Sequence, residues 1–118
     1  MVITVTSIRL KSWWLFFQLS LHGLKISQQL KSQKGFIKLK NTGFGYLHFT
    51  MSAWESEEDV KRFYREGAHL AAMKQASKIA TETRTFTYQD EILPKWKEAK
   101  QLLIEKGKVL RFDNFPRL

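Results

Sequence analysis

The stretch Thr50-Met51-Ser52-Ala53-Trp54-Glu55-Ser56-Glu57-Glu58-Asp59-Val60-Lys61-Arg62-Phe63 holds the end of a strand, a turn and the start of a helix. Upstream of Trp54 the side chains alternate. Leu47, Phe49, Met51 and Ala53 fall on one side, and Tyr46, His48, Thr50 and Ser52 on the other, as the two-residue period of a strand requires. The first row reads as the side turned towards helices. The second is mixed, as expected of a face that meets water, a ligand or a second subunit. Downstream, Ser56 is placed to cap a helix, and Glu57, Glu58 and Asp59 fill its first turn, where the helix dipole favours acids. Val60, Phe63 and Tyr64 give that helix its apolar side. Gly67 is its one breaker, and the pattern resumes from Ala68 to Ala80.

Working outward, Val2 to Leu10 is rich in β-branched residues and predicts a first strand. Ser12 opens a helix running to about Ser32, with Leu15, Leu19, Ile26 and Leu30 near helical spacing. Trp13, Trp14, Phe16 and Phe17 make its first turns apolar all round, which predicts a helix covered on more than one side. A short strand follows at Phe36 to Lys40, and Asn41-Thr42-Gly43 reads as a turn. Thr81 to Tyr88 is a fourth strand. Pro94 suits the start of a last helix carrying Ile92, Trp96, Ala99 and Leu103 on one face. Gly107 ends it before a short strand over Val109, Leu110 and Phe112. The order β-α-β-β-α-β is the α+β, ferredoxin-like split βαβ plan: an antiparallel sheet with helices on one face. One domain over 1–112 and a tail at 113–118 are expected. The bare sheet face calls for a second copy of the chain, a homodimer with two sheets face to face.

The chain has 118 residues, 43% hydrophobic, enough for one core. It has no cysteine, which excludes disulfides and thiolate metal sites and accords with a cytoplasmic setting. The three histidines, His22, His48 and His69, are too dispersed for a closely spaced zinc site, so no metal is assigned. A net charge of +9 arises from scattered cations without a nucleic-acid motif, so no nucleic acid is expected as partner. The apolar run Trp13 to Leu21 follows Arg9 and Lys11 as in a signal peptide. No small-residue cleavage site follows it, and it is shorter than the roughly 20 residues of a membrane span.

The strand end Thr50 to Ser56, the acidic helix start and Phe63 resemble the dimeric α+β barrel superfamily, which includes antibiotic biosynthesis monooxygenases and haem-degrading monooxygenases. The continuation Gly67-Ala68-His69, with Ala72 and Met73, is similar to small domains related to spheroidene monooxygenase. The fold resemblance covers about residues 1–90, and its motif is more specific for fold than for chemistry. Haem-degrading members carry tryptophan and histidine where this chain has Phe63 and Met73, which argues against that route. The resemblance implies a small dimeric monooxygenase acting on a hydrophobic or aromatic small molecule between sheet and helices. It also implies an apolar pocket built from Trp54, Phe63, Met73, Trp13 and Phe17, with His69 as catalytic base. No cofactor is needed on this reading. With haem bound, His69 would be the ligand instead. Tyr46, His48 and Thr50 mark the expected dimer face. The alternatives are a module that binds haem or another apolar ligand without turnover and, less favoured, a protein on a membrane surface through Trp13, Trp14 and Phe16. Each residue also has a plainer reading. Trp54, Phe63 and the Trp13–Phe17 cluster suit a core, His48 a structural polar contact, and His69 a half-buried histidine bonded to backbone.

Overall fold

The computed structural model describes residues 1–65 and 67–112, with the backbone alone over 68–72. The expected tail at 113–118 and the side chain of His69 lie outside the described residues. The strands are β1 (Val2–Leu10), β2 (Phe36–Phe44), β3 (Leu47–Trp54), β4 (Ala80–Gln89) and β5 (Lys108–Arg111). The helices are α1 (Phe16–Lys31), α2 (Glu57–Tyr64), α3 (Gly67–Ile79) and α4 (Trp96–Lys106), and a 3-10 turn at Trp13–Leu15 leads into α1. The strands form one antiparallel sheet in the order β2-β3-β1-β4-β5. The first four strands keep the ferredoxin-like arrangement, and β5 adds an edge beside β4.

The hairpin between β2 and β3 closes later than its turn-like residues suggest. Asn41, Thr42 and Gly43 stay paired within β2, and the turn falls at Gly45-Tyr46. Gly45 has φ 62°, the left-handed conformation that glycine adopts without a Cβ penalty. The β2 register slips between Phe36 and Lys38, which leaves Ile37 as the extra, exposed residue of a bulge.

Ser56 begins α2 as expected. Its hydroxyl oxygen accepts from the Asp59 backbone N–H at 3.2 Å, and the hydroxyl donates to Asp59 Oδ2 at 2.8 Å. Arg62 donates to Asp59 Oδ1 at 2.8 Å, so these two partners hold the Asp59 carboxyl below its ordinary range. Gly35 (φ 82°) passes so close that a Cβ there would collide with that carboxylate. The break at Gly67 (φ 57°) divides what its pattern suggests is one kinked helix into α2 and α3.

Two cores lie on opposite sides of the sheet. Val2 and Trp54 pack with Leu30 of α1 and with Val60 and Phe63 of α2. Ile3, Val5 and Met51 pack with Ala99 and Leu103 of α4. The helices of the ferredoxin-like unit therefore share one face, and α4 covers part of the other. That corrects the expectation that nothing in the chain could cover the second face: Trp96, Ala99 and Leu103 carry the apolar side of α4 onto it. Ile92, expected on that side, precedes the helix and is exposed. A third cluster, Leu10, Leu15, Ile79 and Ala80, joins the far end of β1 to the start of α1 and the end of α3. Among the described residues, no helix is long and apolar enough to cross a membrane.

Candidate functional site: a hydroxyl-lined sheet face

The β1 sequence alternates between two chemistries. Ile3 and Val5 go to the α4 side, while Thr4 and Thr6 go to the side of α1 and α2. The register brings like to like. Thr4 lies between Ser52 and Thr87, Thr6 between Thr50 and Thr85, and Ile8 between His48 and Thr83. Three adjacent strands therefore present rows of hydroxyls on one face. Thr4 and Thr87 hydroxyls bond each other at 2.9 Å, and the Trp54 indole N–H donates to Ser52 Oγ at 2.9 Å.

This face is not closed over. Thr50 and Thr87 are exposed, and Thr6, Thr83 and Thr85 are half-buried, although Thr6 and Thr50 stand on central strands. Aromatic groups bound it at both ends. At one end Trp54 is fully buried against Phe63, with ring centroids 5.0 Å apart, and Phe63 meets Tyr64 at 5.9 Å. At the other, Phe16 stacks on His48 at 5.2 Å, and His48 Nε2 donates to the Gly45 carbonyl at 2.9 Å. From Trp54 to His48 the strand spans about 20 Å.

Tyr64 is a second titratable side chain turned onto this surface, beside His48. Burial pushes its phenol above the ordinary value, and hydrogen bonds with Thr4 and Thr6 pull the other way. The phenol therefore stays protonated at neutral pH, as a hydrogen-bond donor. Together these groups offer a floor of neutral donors and acceptors between aromatic walls. That suits an apolar molecule carrying a few oxygens.

Of the residues expected to form the pocket, only Trp54 and Phe63 are shown in contact with each other. Trp54 and Phe63 are core. Trp13, Phe17 and Met73 are exposed, at 61%, 69% and 52%. The aromatic start of α1, expected to be covered on more than one side, is thus open on its outer side. The faces of β3 are also exchanged. His48 and Thr50, expected to meet a second subunit, lie on the side of α1 and α2, and Tyr46 sits in the hairpin turn. Leu47, Phe49 and Met51, expected to meet the main helices, lie on the α4 side. Alternation alone cannot say which row faces which layer; Trp54, continuing the hydroxyl row into the α1–α2 core, decides it. Sequence reading passed over Thr4, Thr6, Thr83, Thr85 and Thr87. Their signal is threonine at 4 and 6 of β1 and at 81, 83, 85 and 87 of β4, and its meaning depends on the register. Among the described residues there is no group of His, Asp or Glu that could hold a metal ion. A separate open cleft of about 480 Å³ lies between α1 and α3, lined among others by Leu21, His22, Lys25 and Lys78.

No family model matches the chain, and no curated protein does. Solved structures do. One is a protein from Nitrosomonas europaea whose name places it among the antibiotic biosynthesis monooxygenases. It aligns with TM-score 0.69 at 10% identity, over 78% of this chain and 100% of its own. SnoaB, a cofactor-independent oxygenase from Streptomyces nogalater, aligns with TM-score 0.62 at 12% identity, over 80% of this chain and 97% of its own. A conserved protein from Methanosarcina mazei aligns with TM-score 0.69 at 12% identity, over 76% and 92%. The chain shares the α+β, ferredoxin-like fold of these structures.

Proposed function

We propose that the protein is a small oxygenase that oxidises an electron-rich aromatic or polyene molecule on the hydroxyl-lined face, without a cofactor of its own. The observation that carries this reading is the open hydroxyl floor between aromatic ends, with the Tyr64 phenol hydrogen-bonded to Thr4 and Thr6. Likeness of fold to SnoaB supports the cofactor-free form. In balanced form, an activated CH2 group and O2 give C=O and water. The substrate supplies the electrons. The protein supplies a base to remove the first proton and donors to hold the resulting oxyanion. Tyr64 and the Thr6 hydroxyl are the donors. His69, on α3, is the proposed base.

A homodimer belongs to the same proposal. α4 packs on the β1 and β4 side and reaches Phe49 through Trp96 and Lys100, leaving Phe44 (94% exposed) with Leu47 at the far end of the same face of β2 and β3 for a second copy. Sedimentation at micromolar concentration tests it, and a monomer would contradict it.

The test of activity is oxygen uptake, without release of hydrogen peroxide, with a panel of polycyclic phenols that carry an activated CH2 group. Wild type should consume oxygen, and Tyr64→Phe and His69→Ala should each lower the rate about 100-fold, within the range that proton transfer and oxyanion donors contribute. Rates equal to those without protein would contradict the oxygenase. A parallel hemin titration addresses the carrier reading. A saturable, red-shifted Soret band lost in His69→Ala would make this a haem-binding module instead.

A further inference from the structure

The outer side of α1 and the turn before it carry exposed large apolar side chains in close succession. Phe17, Leu21 and Leu24 follow one another at i, i+4 and i+7, so they form one ridge, and they are 69%, 60% and 63% exposed. Trp13 and Trp14 extend it into the preceding turn, at 61% and 57% exposed. Leu15, Leu19, Ile26 and Leu30 face the other way and already anchor the helix in the fold. The ridge is therefore surplus to folding. An apolar stripe of this size on a surface helix marks a contact.

Charge decides what kind of contact. No Asp or Glu precedes Glu55, while seven Lys and Arg fall within residues 1–54. α3, the neighbour of α1, carries no acid either. Lys25 adjoins Leu24, Lys31 follows it at i+7, and Lys25 and Lys78 line the cleft beside Leu21; all three are exposed. A second copy meeting this ridge about a two-fold axis would bring one acid-free cationic surface against another, with no carboxylate of α1 or α3 to offset Lys25, Lys31 and Lys78. An anionic bilayer offers what the ridge lacks: a hydrocarbon boundary for the apolar side chains and lipid phosphates for the cations. Trp13 and Trp14 suit the headgroup level, where an aromatic body is buried and its N–H stays wet.

We infer that α1 lies in the plane of an anionic membrane surface, with Phe17, Leu21 and Leu24 in the acyl boundary and Lys25, Lys31 and Lys78 on lipid phosphates. The docked helix brings apolar molecules dissolved in the bilayer close to the fold. The inference does not depend on the oxygenase reading.

The test is co-sedimentation with vesicles of phosphatidylcholine alone or with about 30% phosphatidylglycerol, a content that sets up a substantial negative surface potential. Binding should be about tenfold stronger to the anionic vesicles and should weaken in about 0.5 M salt, which screens surface charges. The exposed Phe17→Ser/Leu24→Ser pair should lose binding while keeping the wild-type circular dichroism and melting temperature. Lys25→Gln/Lys78→Gln should lose the preference for anionic lipid. Absence of binding to either vesicle would overturn the inference. So would a soluble oligomer that Phe17→Ser/Leu24→Ser converts to smaller species, because the ridge would then be a protein interface.

Discussion

The two faces of the sheet are made from the same strands and do different work. On the α4 side, Ile3, Val5 and Met51 meet Ala99 and Leu103, with each of the five at most 1% exposed. On the other side, one residue along each strand, Thr4, Thr6, Thr50, Ser52, Thr85 and Thr87 present hydroxyls, several of them reachable by solvent. The first face is a packed core whose worth lies in apolar area removed from water. The second has less apolar area to bury, and its helices pack most tightly at its ends. Alternating β-branched residues permit this, since threonine keeps the strand preference of valine while substituting a hydroxyl for a methyl. On that side the cores sit at the two ends of the strands, and the hydroxyl rows lie between them.

Substitutions on the two sides should separate stability from binding. The largest effect is expected at Leu103. Leu103→Ala leaves a cavity against Ile3 and Val5 and should cost about 3 kcal/mol in urea denaturation, with ligand affinity of the folded fraction unchanged. Next comes Gly35→Ala, which forces a Cβ into the left-handed region and against the Asp59 carboxylate. A loss of about 2 kcal/mol is expected, read as a lowered melting temperature. Asp59 also sets an acid limit. Its folded-state carboxyl titrates below the ordinary 3.8, so its contribution is present above that value and is lost as pH falls through the lowered one. Asp59→Asn should lack that part of the acid-induced loss, measured as melting temperature against pH. The smallest stability change belongs to Thr6→Val, under about 1 kcal/mol for one hydroxyl on a half-open face. Its effect on the affinity of an oxygen-bearing aromatic ligand should nonetheless be about tenfold. A Thr6→Val variant that loses stability and keeps affinity would erase the distinction between the faces.

Much of the fold was legible because local chemistry and tertiary packing agree. Ser56 with Asp59 marks the α2 start, Gly67 the break, and β1 runs from Val2 to Leu10 as its β-branched residues imply. The site was less legible. A period of two says that Thr50 and Met51 face opposite ways, but only the packing of Trp54 with α1 and α2 says which row lies under those helices. The aromatic start of α1 misled for a related reason. Trp13, Trp14 and Phe17 have the composition of a core, and composition does not distinguish a buried side from one kept for an external surface.

The most direct measurement is methyl NMR of threonine- and methionine-labelled protein during titration with an aromatic hydroquinone. Shifts are expected at Thr6, Thr50, Thr85 and Thr87, with the Met51 methyl unmoved. Shifts at Met51 with the threonine methyls silent would place the ligand on the wrong face and contradict binding at the hydroxyl rows.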